Sequence, residues 1–332
     1  MAFYSYMFTA NYGRFFKNLA KVAKKEHRFF PALVVDTAWC VFRYGMALSD
    51  YLNYELYKRS AAERREYVST RTENSFYETV SPSAYKKRFT VKQNFLREFK
   101  DYTRRECIVP GEDDFDAFNA FLDSNPQFMA KPYDGLGGQG VEKISSADIS
   151  DRQAYFDHCR DNRIFLEQLV HQHRDMNVLC PTSVNTARIM TFNDHGKPEI
   201  LWMGLRVGNG VNAVDNFHAQ GMGVRVDMAT GQLRGSGIDK DGNRFSAHPT
   251  TGVTFDGFQL PDFQQAIDLV LKGALESDKI LVIGWDVAFS DQGPVVIEAN
   301  RRPGYDLVQM LDERGRMDII RSVLSRVQED KA

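Results

Sequence analysis

Apolar residues recur along this chain with two different periods, and the change from one to the other divides it. Over residues 1–108 the spacing is helical: Phe15, Phe16, Leu19 and Val22 follow a 3.6-residue repeat. Ser60-Ala61-Ala62-Glu63 has the form of a capping box that opens another helix. Ser81-Pro82-Ser83 marks a break, after which Tyr85, Phe89, Phe95 and Phe99 carry an aromatic, charge-flanked segment with Lys92 inside it. No strand–helix–strand alternation appears, so this part reads as a helical N-terminal region and not as a dinucleotide-binding unit. Its most apolar window is residues 29–48. Pro31, Asp36 and Arg43 interrupt that window, so it fails as a membrane span. The expectation is a buried helix, with contact to a membrane surface as the alternative.

Pro110-Gly111 begins a turn and a boundary. Beyond it the pattern predicts a short amphipathic helix over 115–122, strands near 128–131 and 141–144, a helix over 150–161, and a strand over 163–170 with a polar end. From residue 185 the alternation is β-like. TARIMTF, EILWMGLRVG, GVRVDMAT and GQLRGSG are strands separated by Asp-His-Gly, Asn-Gly and Thr-Gly turns. A helix over 261–276 follows, then strands over 279–290 and 294–300 joined by Asp291-Gln292-Gly293, and a last helix over 316–327. The expected class is α+β, with a helical region at 1–108 and a second unit at 109–332.

Composition removes several functions. The chain has 332 residues, enough for two or more packed units. Its net charge of −2 provides no global basic field, so nucleic acid is not an expected partner. Cys40, Cys107, Cys159 and Cys180 form no CxxC pair, which argues against zinc and for reduced thiols in a cytoplasmic protein. Residues 1–18 lack the long uncharged apolar core of a signal, and no transmembrane segment is expected.

Two stretches carry chemistry. Residues 128–141, FMAKPYDGLGGQGV, hold Gly135, Gly137, Gly138 and Gly140 between two strands, with Lys131 just before them. Such a loop frees its backbone for close approach, its N–H groups can surround a phosphate, and Lys131 adds a point charge. The other reading is a surface turn. The loop fits GxGxxG, but a strand follows where the dinucleotide motif requires a helix. His173-Arg174-Asp175 imitates a kinase catalytic loop, yet Asn177 comes two residues after Asp175, no DFG exists, and Lys131 precedes the glycines. The second stretch is the final hairpin. Glu298 and Asn300 lie two apart on one strand and so face the same way, and Asp286 sits on the adjacent strand among apolar neighbours. Buried carboxylates need a partner, so these three are either an oxygen site for Mg²⁺ or a salt bridge with Arg301 or Arg302. With a triphosphate held between loop and metal, Glu167-Gln168-Leu169 would be the strand that reads the adenine edge, and Asp175 would reach the ribose. The glycine-rich segment 208–223 offers Asp215, Asn216 and His218 as substrate contacts.

In this combination the chain resembles the ATP-grasp superfamily, and within it the sugar-transfer-associated group. The residues that carry the likeness are Lys131-Pro132 with GLGGQGV, Glu167-Gln168-Leu169, residues 183–188 (SVNTAR), Val214-Asp215-Asn216, His248-Pro249, Gly284-Trp285-Asp286 and Ile297-Glu298-Ala299-Asn300. They cover about residues 85–310. The resemblance implies two α+β subdomains clasping ATP, a lid over about 109–170 and a metal-binding part over about 171–332. It implies that Lys92 and Lys131 hold the α- and β-phosphates, the Gly135–Gly140 loop covers the triphosphate, and Asp286, Glu298 and Asn300 hold Mg²⁺. Arg188 and Arg206 would stabilise the transferring phosphoryl group and an acyl phosphate. Val91 stands where the family favours Asp before the lysine, and the Arg301-Arg302 pair is unusual and would touch substrate carboxylate or phosphate. The implied function is an ATP- and Mg²⁺-dependent carboxylate–amine ligase on small-molecule or sugar-linked substrates, in cell-surface polysaccharide or peptide-like metabolite biosynthesis. The alternatives are a kinase acting on a hydroxyl and a non-catalytic nucleotide-binding partner in a glycosyltransferase pathway.

Overall fold

A computed structural model describes residues 11–81, 89, 92–133, 140–210, 221–277 and 279–329. Helices dominate its first part: α1 (Tyr12–Lys25), α2 (Phe30–Tyr44), α3 (Leu48–Asn53), α4 (Ala61–Glu66), α5 (Thr70–Val80), α6 (Lys92–Glu98) and α7 (Lys100–Thr103). The capping box holds: Ser60 N–H donates to Glu63 Oε2 at 2.7 Å and the Ser60 hydroxyl accepts from Glu63 N–H. Gly45, at φ +73°, ends α2, its N–H returning to the carbonyl of Val41 at 3.1 Å.

Residues 29–48 correct the expectation of a buried helix. α2 buries Leu33, Thr37, Cys40 and Val41 and leaves the opposite side in solvent. The window carries apolar residues on both sides of the helix, and the rest of the fold covers one of them.

Two antiparallel sheets follow. The smaller has the order β1-β4-β2-β3, from β1 (Cys107–Ile108), β2 (Gln127–Pro132), β3 (Glu142–Ser145) and β4 (Ile164–Gln168). α8 (Phe115–Ser124) and α9 (Arg152–Asp161) cover one face, where Phe118, Phe121 and Phe156 pack on Phe128, Ala130 and Leu166. Alternation along β2 and β4 turns Lys131 and Glu167 to the other face. β1 begins at Cys107, within the stretch expected to be the helical region.

After α10 (Arg174–Leu179), a seven-stranded sheet has the order β11-β10-β5-β6-β7-β8-β9. Its strands are β5 (Thr186–Asp194), β6 (Lys197–Val207), β7 (Met222–Val226), β8 (Leu233–Asp239), β9 (Arg244–Phe245), β10 (Val282–Ser290) and β11 (Gly293–Asn300). α11 (Phe263–Leu275) packs on one face, against Ile189, Ile283, Trp285 and Val287. The other face joins Met190, Phe192 and Val282 to the N-terminal helices and to α12 (Tyr305–Asp312) and α13 (Met317–Glu329). Burial of each Phe- or Leu-sized side chain contributes roughly 1.5–3 kcal/mol, so the N-terminal helices are bound to this sheet as part of one core. α12 has no counterpart in the sequence expectations; it starts directly after Gly304. The fold is α+β, two antiparallel sheets each covered by helices, with a mostly helical region ahead of them in the chain.

Candidate active site

Register assembles the site. On the large sheet Asp286 of β10 stands opposite Arg188 of β5 on one side and Glu298 of β11 on the other. Thr186 of β5 stands opposite Arg206 of β6, and residues 186 and 188 share a face. Glu298, Asp286, Arg188 and Arg206 therefore line one face of four neighbouring strands.

Asp286 is 0% exposed. Arg188 meets both of its oxygens, through Nε to Oδ1 and through Nη2 to Oδ2 at 3.1 Å. Arg206 Nη2 lies 2.7 Å from Oδ2, and the same guanidinium donates to the Thr186 hydroxyl at 2.8 and 3.1 Å. Burial by itself would raise the Asp286 carboxyl, but Arg188 and Arg206 outweigh it and hold the group down at about 2. Glu298 behaves oppositely. It keeps solvent access, yet the protein packed around its carboxyl and the neighbouring Asp286 charge push it up, offset only in part by Arg206 and Arg188. Asn300 Nδ2 donates to Glu298 Oε1 at 3.2 Å. Gly284, opposite Asn300, leaves room for Pro303: a Cβ there would lie 2.4 Å from the proline Cβ.

The small sheet supplies a second charged centre. Glu167 is buried between Lys131 Nζ at 2.5 Å and Arg105 Nε at 2.5 Å. Burial would raise its carboxyl; Arg105, Lys131 and the nearby Lys92 together lower it instead. Lys92 and Lys131, predicted as the phosphate-holding pair, thus converge on one carboxylate. Arg105 also donates Nη2 to the carbonyl of Ile297 at 3.2 Å, next to Glu298. One guanidinium therefore ties the two sheets together at the site. Arg105 was not among the predicted residues, because one arginine in the run Arg104-Arg105-Glu106 has no signal in sequence.

The remaining predicted residues are placed as follows. The Gln168 side chain accepts the Glu106 N–H at 3.2 Å, and Leu169 lies just past β4, half-buried. Asp175 is exposed in the first turn of α10, 3.7 Å from His173 Nδ1, while His173 N–H donates to the carbonyl of Phe289. Gly140, at φ +70°, turns the chain into β3, a strand where a dinucleotide motif would need a helix, and β3 pairs antiparallel with β2. Gly135, Gly137 and Gly138 lie outside the described residues, as do Asp215, Asn216 and His218. The base of that second loop is described: buried His248 bonds the carbonyl of Gly208 at 2.9 Å, and Asn185 Oδ1 accepts the Gly208 N–H at 3.2 Å. The salt-bridge reading of the final hairpin is corrected in its partners. Arg188 and Arg206 hold Asp286; Arg301 donates instead to the carbonyl of Ser81 at 2.9 Å. Arg302 Nε is buried with no hydrogen-bond partner among the described residues.

A cavity of about 300 Å³ opens beside this arrangement, lined by Asp50, Tyr54, Thr70, Glu73 and Asp306 among others. Burial raises Asp50 to about 7, and burial with Asp306 and Asp50 nearby raises Glu73 to about 8.

The sequence profile described as sugar-transfer associated ATP-grasp matches residues 106–325, more than half of the chain. The chain belongs to that family. Enzymes of the ATP-grasp superfamily use ATP and Mg²⁺, and this member carries its charged centres on the two sheets of that fold. Among curated proteins none matches this family member in sequence. Solved structures similar to it include one described as ATP-grasp ligase PsnB complexed with minimal precursor, at 12% identity and TM-score 0.47 over 75% of this chain and 64% of that one. Another is D-cycloserine synthetase DcsG, at 13% identity and TM-score 0.40 over 72% and 71%. A third is the D-alanine–D-alanine ligase from Bacillus anthracis, at 13% identity and TM-score 0.39 over 73% and 68%. The chain thus spans less than two thirds of the length of the first of these.

The donor set fits the metal in kind. Among the described residues no cluster of three or more His, Cys, Asp or Glu is placed to hold a metal ion. Asp286, Glu298 and Asn300 form instead a set of two carboxylates and one amide, all oxygen donors suited to Mg²⁺. Two carboxyls side by side, one of them pushed up by the other, are what a divalent cation would relieve.

Proposed function

We propose that this protein is an ATP- and Mg²⁺-dependent carboxylate–amine ligase. The observation that carries the reading is the row Glu298–Asp286–Arg188–Arg206 on one sheet and the Lys92–Lys131–Glu167 centre on the other, joined through Arg105, which bonds Glu167 and the Ile297 carbonyl beside Glu298. Phosphoryl transfer needs positioning and charge neutralisation more than covalent chemistry from the protein, and this pairing supplies cations from both sheets. Lys92 and Lys131 bind the α- and β-phosphates, the 135–140 loop covers the triphosphate, and the backbone of Gln168 and Leu169 reads the adenine edge. Asp286, Glu298 and Asn300 would hold Mg²⁺, which when bound supplies further neutralisation of phosphate oxygens.

Arg188 and Arg206 face the transferring group. A substrate carboxylate oxygen bonds to the γ-phosphorus and the bond to ADP breaks, giving an acyl phosphate. An amine then attacks the carbonyl carbon, phosphate leaves, and the amine nitrogen gives up a proton. The unpartnered Arg302 Nε supports a place for the substrate carboxylate. Family membership supports a setting in cell-surface polysaccharide or peptide-like metabolite biosynthesis.

The test is ATP turnover with Mg²⁺ and pooled amino acids, sugar acids and hydroxylated metabolites, with ADP and free phosphate followed separately. A condensed product with both ADP and phosphate is expected, and Glu298→Ala abolishes it. A product heavier by a phosphoryl group, with no free phosphate, would make the enzyme a kinase.

A further inference from the structure

We propose that the outer face of α2 docks the protein on an anionic membrane surface. α2 turns Phe29, Val35, Trp39 and Phe42 to solvent at 73, 70, 57 and 66% exposure. With Pro31 and Ala32 they follow helical spacing, so they form one continuous apolar stripe on the side opposite the buried Leu33, Thr37, Cys40 and Val41. A groove of about 550 Å³ runs along it.

Charge selects the occupant. Residues 11–45 contain seven Lys and Arg against two Asp and Glu, a net of +5 in a chain whose total is −2. Both acids are half-buried and paired, Asp36 at the edge of the groove. Glu26 lies 3.0 Å from Lys58, and Asp36 takes the Arg64 guanidinium on both oxygens, at 2.7 and 2.8 Å, and the Tyr51 hydroxyl at 2.8 Å. The bases are turned outward. Lys17, Lys21, Lys24, Lys25, Arg28 and Arg43 are exposed, and Arg28 and Arg43 adjoin Phe29 and Phe42 at the two ends of the stripe. Bulky aromatics on one face, with Arg28 and Arg43 at its two ends and a net positive charge over the two helices, suit insertion among lipid headgroups of negative charge. A protein partner matching this face would need an acidic rim around an apolar centre, an outcome the experiment below separates from lipid. α2 has no length or hydropathy to cross a bilayer: among the described residues no helix does.

The molecule carries its own reporter. Of its three tryptophans, Trp202 and Trp285 are 3 and 0% exposed, so a spectral change on docking arises at Trp39. The experiment adds vesicles of phosphatidylglycerol and phosphatidylcholine, or of phosphatidylcholine alone, to the full chain. It follows Trp fluorescence and co-flotation, with ATP binding as the control for folding. The expected result is a blue shift and flotation with the anionic vesicles, both weakened as salt rises. Phe29→Ser/Val35→Ser/Phe42→Ser keeps Trp39 and loses vesicle affinity at least about 10-fold, and Lys24→Glu/Lys25→Glu/Arg28→Glu loses on the order of 100-fold. Both variants keep the wild-type melting temperature and ATP affinity, since every changed residue is exposed. No shift with anionic vesicles, or equal binding by the variants, overturns the proposal. So does a wild-type dimer that the serine variant dissociates, which assigns the stripe to a second copy. Vesicle binding that appears only after residues 1–10 are deleted overturns it too, because the chain's own start then covers the face.

Discussion

Glu167→Gln tests the electrostatics of the site directly. The wild-type carboxylate is buried between Arg105 and Lys131, each 2.5 Å away. Glutamine keeps the volume and one acceptor oxygen but removes the charge. Arg105 is itself buried and would then face a neutral amide. Breaking a buried ion pair on one side costs about 3–5 kcal/mol, because the remaining charge is left without compensation. Lys131 is partly in water and relaxes more cheaply, so the lower end, about 3 kcal/mol, is expected in urea unfolding at neutral pH. The pH dependence is a second readout. The folded-state carboxyl is lowered from the ordinary 4.5, so its contribution is present above that value and is lost as pH falls through the folded value. The gap between wild type and variant should therefore be full at pH 7 and should close in acid. Adding Arg105→Met to the variant removes the stranded charge and recovers part of the loss, less the bond from Arg105 to the Ile297 carbonyl. A variant within about 0.5 kcal/mol of wild type at pH 7 would refute the account, since surface changes alone reach that size.

Three further outcomes follow from particular contacts. Arg188→Lys replaces a two-point grip on Asp286 with one point charge, so ATP turnover should fall about 100-fold or more while ATP affinity, read by calorimetry, changes far less. Glu73, raised from 4.5 to about 8, contributes stability that is full below pH 4.5 and is lost as pH rises to about 8; thermal melts of Glu73→Gln should show a flatter decline over that interval, and an unchanged slope would contradict the assignment. Gly315→Ala places a Cβ 2.1 Å from the carbonyl carbon of Glu66, a backbone atom that cannot rotate away; a loss of about 2 kcal/mol or more is expected in urea unfolding.

Much of this was legible in the sequence because it depends on local pattern. The strands from Thr186 to Asn300 show themselves by alternation and by glycine turns, and the lysine–glycine hairpin by composition. Glu298 and Asn300 share a face because a strand repeats every two residues. What escaped depends on long-range register. Arg188 and Asp286 are 98 residues apart and meet only because β5 and β10 pair. Arg105 acquires its role from two sheets at once. The exposed side of α2 could not be read from hydrophobicity, since an apolar window reports what a helix is made of and not how much of the fold is available to cover it.

The face that bears the charged row also explains what the N-terminal helices do for the site. On β5 and β10, residues 190, 192 and 282 point the same way as 188 and 286, so apolar and charged halves of one sheet face are continuous. The helices cover the apolar half and stop where the charges begin. Their last contacts fall on the site's own margin: the Tyr77 hydroxyl donates to the Pro303 carbonyl, and Leu281 N–H donates to Val80 at 2.9 Å. Arg301 completes that margin through the Ser81 carbonyl. The loop from Asn300 to Gly304, which sets where Arg302 and Pro303 stand beside Asp286, is thus held from outside the matched ATP-grasp segment. α5 and Ser81 are in this sense a wall of the site, and loosening α5 should displace Arg302 before it unfolds the sheet.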